Sequence, residues 1–139
     1  MSGESQQPID LGERARSIPF LRHLGLELVE YQPGRARMRF CIRPEHLNYL
    51  GTLHGGMTCS LIDSVAYFAL RPLLSADHPF PTLELKVNFL RPVKEGMVLA
   101  EAEALHAGKR VMVAQVKVMD GEGRLCAFGT VSCLVAPLK

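Results

Sequence analysis

Long apolar runs are missing from this sequence. No uninterrupted stretch approaches the roughly 20 residues a membrane-spanning helix needs, so no membrane role is expected. A strong charge of either sign is missing too. Sixteen Lys and Arg against fourteen Asp and Glu leave +2, too little to make nucleic acid the main partner. The opening Met1 to Pro8 is polar and holds no apolar signal segment. Cys41, Cys59, Cys126 and Cys133 show no C-x-x-C spacing and no clustering with histidine. That argues against a disulfide framework and for reduced, mostly buried thiols in a cytoplasmic protein. His23, His46, His78 and His106 lack metal-ligand spacing, and no metal is expected.

What is present suits an ordinary globular chain. With 47% hydrophobic and 22% charged residues, disordered and collagen-like classes drop out. The 139 residues suit one domain with a real core. We expect a disordered lead-in over residues 1–9 and a single domain over 10–139.

Periodicity then places the elements. Asp10 to about Leu24 reads as a short helix broken at Pro19. Leu26–Tyr31 reads as a strand, and Pro33-Gly34 as a turn. Arg35 to Phe40 alternates strictly, the period of a half-buried strand. Its three arginines read as a solvated face, because no aromatic ladder or second basic cluster joins them. From Met57 to Leu70 apolar residues wrap well over half of a helix, which therefore is buried. Pro72 disfavours helical geometry at Arg71 and should end that helix, giving about 24 Å of length. Thr82–Leu90, Val98–His106, Arg110–Met119 and Leu125–Val135 read as four further strands, with Asp120-Gly121-Glu122-Gly123 as a hairpin turn. Alanine and glutamate in Val98–His106 favour helix by propensity, against that strand assignment. Two strands, one buried helix and four strands point to an α+β class with an antiparallel sheet curled around the helix.

One acid interrupts the buried helix. Asp63 is the only charged residue from Gly55 to Leu70. An ionised carboxylate in such a setting is costly unless something pairs or uses it. The preceding loop is polar and glycine-rich. Asn48-x-x-Gly51-x-x-His54-Gly55-Gly56, followed by Leu61-x-Asp63, resembles the motif of hotdog-fold acyl-CoA thioesterases of the PaaI-like, phenylacetate-pathway branch. That branch includes the thioesterase superfamily member 2 type. The resemblance runs from about Phe20 to Val135, through Leu90-Arg91-Pro92 and the final hairpin. It implies a helix wrapped by a curved antiparallel sheet, and hydrolysis of aryl or medium-chain acyl-CoA. Coenzyme A then belongs to the substrate, and no separate cofactor is implied.

The residues support the same chemistry. Backbone N–H groups at a helix start lack intrahelical acceptors, and glycine lets substrate approach them closely. The Gly55 N–H is thus the expected oxyanion donor, with Gly56 beside it. Asp63 can activate water as general base or attack the carbonyl to form an anhydride. The resemblance places Asn48 and His54 at polar positions ahead of the helix. We expect Asn48 to position the water or thioester and His54 to order the loop and contact the thioester region. The resemblance aligns Thr82 with a hydroxyl residue that helps hold the water. Arg91, Lys109 and Arg110 flank turns and are candidates for the coenzyme pyrophosphate, with solvated charge as the bland reading. Eight residues of helix separate Gly55 from Asp63 by about 12 Å, so one chain cannot bring both to one carbonyl. A two-fold interface that pairs Gly55 of one subunit with Asp63 of another resolves this. The resemblance likewise implies dimers with shared sites, often paired into tetramers. Two alternatives stay open: a hotdog hydratase or dehydratase, and a non-catalytic acyl-CoA-binding protein.

Overall fold

The computed structural model describes residues 9–75 and 77–135. The expected lead-in lies outside these residues except for Ile9, which packs against the core. The chain order is α1 (Leu11–Ser17), α2 (Pro19–Leu24), β1 (Glu27–Gln32), β2 (Arg35–Cys41), α3 (Gly55–Leu70), β3 (Thr82–Phe89), β4 (Met97–Ala107), β5 (Val111–Met119) and β6 (Leu125–Leu134). The broken N-terminal helix is two helices. Asp10 caps α1 by accepting from the Glu13 N–H, and Pro19 stands in the first turn of α2, where its missing N–H costs nothing.

The six strands form one antiparallel sheet in the order β1-β2-β4-β5-β6-β3. It curves around α3, as the resemblance implies. The core lies between them: Leu61, Ile62, Val65, Ala66 and Phe68 of α3 are buried against Met38, Phe40, Val98, Val116 and Val131. Small residues set the spacing. Ala100, Ala102 and Ala114 face the helix, and a Cβ at Gly129 would stand 3.1 Å from Ile62 Cγ2. This explains why β4 is a strand against its local propensity. Alanine there gives α3 room to approach, and tertiary packing overrides the helix preference. Ile62 resting on β6 in turn brings Asp63 beside the neighbouring β3.

The arginine face of β2 is neutralised across strands. Arg35 pairs with Glu103, Arg37 with Glu101 and Glu30, and Arg39 with Glu27. Such exposed pairs add little stability. They leave no basic stripe for a polyanion.

The segment after α3 departs from expectation. Arg71 keeps right-handed helical geometry before Pro72 and enters a short 3₁₀ turn over Arg71–Leu73. Its guanidinium is buried, donates to the His78 carbonyl at 2.6 Å and lies 5.2 Å over the Phe80 ring. Those contacts outweigh the proline preference. Phe80 stacks on Tyr67, and Arg14 bridges Tyr67 to Asp77. The segment leading to Thr82 is therefore tied to α3 and α1. Among the thiols, Cys41 departs from the expected burial. Cys126 and Cys133 are buried, Cys59 is half-buried and Cys41 is exposed; all four are free. Among the described residues, no helix is long and apolar enough to cross a membrane.

Candidate active site

The glycine-punctuated loop has local causes for each of its spacings. Asn48 Oδ1 accepts from the Leu50 and Thr52 N–H groups, at 2.9 and 3.1 Å. Gly51 takes φ +75°, its N–H bonds the Asn48 carbonyl, and the Asn48 N–H bonds the Thr52 carbonyl. This is a type I turn followed by a left-handed glycine. Asp120 and Gly123 repeat it in the β5–β6 hairpin: Asp120 Oδ1 accepts from Glu122 and Arg124, and Gly123 has φ +78°. Asn48 also donates from Nδ2 to Thr52 Oγ1. Its acceptor is committed to the loop, and one amide hydrogen stays available.

His54 is the N-cap of α3. Its Nδ1 accepts from the Gly56 N–H at 2.8 Å, so in the neutral ring the proton sits on Nε2. A Cβ at residue 56 would stand 3.0 Å from that Nδ1, which is why glycine follows. A Cβ at residue 55 would stand 3.2 Å from Phe89 Cζ, which explains the other. The His54 carbonyl accepts from Met57 and Thr58. The Gly55 N–H is thus the one first-turn donor of α3 without a hydrogen bond among the described residues.

That donor borders a cavity of about 340 Å³, walled by α3, the loop and the ends of β3, β4, β5 and β6. Val93, Val98, Val118 and Ala127 make it largely apolar, Asn48 lines it, and the exposed Arg91 borders it. Thr58 and Phe89 line it as well. Neither is among the motif residues from Asn48 to Asp63 that the sequence singles out. Thr58 was legible as a hydroxyl set within the apolar arc of α3, and Phe89 passed for an ordinary alternating strand residue.

Asp63 stands elsewhere. Its Oδ1 accepts from the Thr82 hydroxyl at 2.7 Å, and its other oxygen carries no hydrogen bond among the described residues. Polar side chains of the same helix, Ser60 and Tyr67, are engaged otherwise: Ser60 donates to the Gly56 carbonyl, and Tyr67 accepts from Arg14. Cys133 pairs with Thr82 across β3 and β6, and burial pushes its thiol above the usual range. Gly55 touches one end of β3 through Phe89, and Asp63 touches the other through Thr82, with roughly 23 Å of strand between them. Gly55, Asn48 and Arg91 are brought together; Asp63 and Thr82 form a second group. Lys109 and Arg110 are exposed in the β4–β5 turn, at the Thr82 end of the sheet, where the Arg110 carbonyl accepts from Val135.

Residues 50–127, which hold Gly55, Asp63 and Thr82, match the family described as the thioesterase superfamily. The chain belongs to that superfamily. It is a thioester hydrolase with the hotdog fold. A Mycobacterium tuberculosis protein named as an esterase is 34% identical over 134 residues, 94% of this chain and 91% of its own. Acyl-coenzyme A thioesterase 13 of Pongo abelii is 31% identical over 113 residues, 79% of this chain and 80% of its own. Among solved structures, a point mutant of the phenylacetic acid degradation protein PaaI from Thermus thermophilus superposes with a TM-score of 0.80 at 30% identity. The match covers 86% of this chain and 100% of that one.

Proposed function

We propose that this protein hydrolyses acyl-CoA thioesters with aryl or medium-chain acyl groups, at sites shared between two subunits in the cytoplasm. The observation that carries this is the pairing of an unbonded Gly55 N–H on an apolar cavity with a carboxylate oriented by Thr82. The names of relatives that act on acyl-coenzyme A and in phenylacetic acid degradation support the substrate class.

The edge strand supports the assembly. Helix α3 and β3 run in opposite directions, because Gly55 meets the end of β3 and Asp63 its start. The outer edge of β3 is free of any strand among the described residues, and Leu83, Phe89 and Leu90 are 56%, 58% and 56% exposed. A copy related by a two-fold axis adds its own β3 antiparallel there. The start of one β3 then faces the end of the other, and Asp63–Thr82 of one subunit meets Gly55 of its partner. Two such dimers pair into the homotetramer that the family resemblance implies.

In this site the thioester carbonyl oxygen bonds the Gly55 N–H. The free Asp63 oxygen takes a proton from water as the water oxygen attacks the carbonyl carbon. The tetrahedral intermediate collapses, the C–S bond breaks, and the CoA thiolate recovers the proton. In the alternative route the carboxylate attacks first, expels the thiolate, and water cleaves the resulting anhydride. Thr82 spends its proton on Asp63, so it orients the base and can only accept from the water. Asn48 offers its remaining amide hydrogen to the thioester region, and His54 holds the loop. Gly56 gives His54 room. Arg91 of one subunit and Lys109 and Arg110 of the other supply charge for the pyrophosphate.

Thiol release across an acyl-CoA panel tests the activity. Single-turnover hydrolysis in ¹⁸O water, with mass analysis of Asp63, separates the routes: label in Asp63 identifies the anhydride. Absence of thiol release from every acyl-CoA overturns the proposal.

A further inference from the structure

Among the side chains of the Gly55 cavity, Thr58 is set apart. It is 5% exposed, lies one turn beyond Gly55 and faces Val98, Val118 and Ala127. Its hydroxyl makes no hydrogen bond among the described residues. Ser60 and Ser64 on the same helix bond back to the carbonyls of Gly56 and Ser60, at 2.8 and 2.6 Å. Thr58 does not, and the corresponding His54 carbonyl already accepts two N–H groups, from Met57 and Thr58 itself. The other polar side chains of the cavity have other roles. Asn48 and Thr52 bond each other in the loop, and Arg91 is exposed. A hydroxyl that lines a largely apolar cavity and has no protein partner is open to a ligand there.

We infer that Thr58 is a specificity-determining residue whose hydroxyl bonds an oxygen-bearing substituent on the acyl group. This rests on the hydrolase reading above and adds where the acyl group goes and what it carries. With the carbonyl oxygen on the Gly55 N–H, the acyl group extends into the cavity along α3. Residues three apart on a helix have side-chain origins about 5–6 Å apart on one face. A hydroxyl or oxo group on the β carbon of a chain, or ortho or meta on an aryl ring, spans that gap. Plain acyl groups leave the Thr58 hydroxyl unpaired and are disfavoured.

The test compares kcat/KM for hexanoyl-CoA with 3-hydroxyhexanoyl-CoA, and for benzoyl-CoA with 2- and 3-hydroxybenzoyl-CoA. It uses the wild type, Thr58→Val and Thr58→Ser. Wild type is expected to favour at least one oxygenated member by about tenfold, the scale of one buried hydrogen bond. Thr58→Val brings that ratio near one, and Thr58→Ser keeps it. Because the hydroxyl has no protein partner, Thr58→Val melts at or above the wild-type temperature. Binding of phenacyl-CoA and 3-hydroxyphenacyl-CoA, which keep the carbonyl but cannot be hydrolysed, reads the same preference without turnover. Discrimination among these analogues without any thiol release would sink the hydrolase reading and keep Thr58. A preference unchanged by Thr58→Val, or absent in the wild type with both thioesters and analogues, overturns the inference. A lower Tm with an unaltered preference makes Thr58 structural.

Discussion

The Thr82 hydroxyl donates to Asp63 Oδ1 at 2.7 Å, joining the first residue of the edge strand β3 to the only acid of the central helix. The bond fixes one carboxylate oxygen and leaves the other to act. Asp63→Asn keeps the volume but cannot take a proton or form an anhydride. Turnover should fall at least about a hundredfold with the fold retained, as thiol release and circular dichroism will show. Thr82→Val loses the orienting bond only, so a smaller loss is expected, restored in Thr82→Ser.

Gly55 needs space, not a special dihedral angle. Gly55→Ala places a methyl 3.2 Å from Phe89 Cζ, so the ring must shift by only about a few tenths of an ångström. Stability should change little, while the methyl crowds the carbonyl site and lowers kcat. Thermal melting beside kinetics checks this, and normal turnover would move the oxyanion donor elsewhere.

His54→Ala removes the acceptor for the Gly56 N–H. Loss of an N-cap costs about 1 kcal/mol, read as a lower urea midpoint. An unchanged midpoint would show that the ring contributes nothing to the helix start.

The shared site predicts complementation. Neither an Asp63→Asn nor a Gly55→Val homodimer should be active. Co-refolded equal mixtures should recover about a quarter of wild-type activity, since half the dimers are mixed and half their sites intact. Heterodimers verified by mass spectrometry yet inactive would place both groups in one chain.

The segment before Thr82 has its own pH signature. Hydrogen bonds from Arg14, at 2.9 and 2.8 Å, hold the Asp77 carboxyl below its ordinary 3.8, with Arg71 a further cation 3.8 Å away. A depressed carboxyl stabilises the fold above its unfolded pKa and loses that effect as pH falls through its folded value. Asp77→Asn should therefore lower Tm slightly at pH 7, where solvent screens the exposed pair. The difference should vanish as pH drops below 3.8; a pH-independent difference would exclude the charge pair as its cause.

The sequence by itself determined the element order, the buried helix and the motif, because hydrophobic period and turn chemistry are local. Strict alternation marked β2, and an apolar arc with one acid marked α3 and Asp63. The same locality explains the miss at Arg71 and the conflicting propensity in β4. Arg71 stays helical because distant groups, the His78 carbonyl and the Phe80 ring, hold it. Alanine-rich β4 is a strand because α3 needs small residues beneath it. Only tertiary structure decided which site residues meet. It joined Asp63 to Thr82 across nineteen positions of sequence, set Gly55 against Phe89 at the other end of β3, and left Thr58 unpaired inside the cavity. Those relations depend on how the sheet curls about the helix, which is a property of packing and is carried by no local pattern of residues.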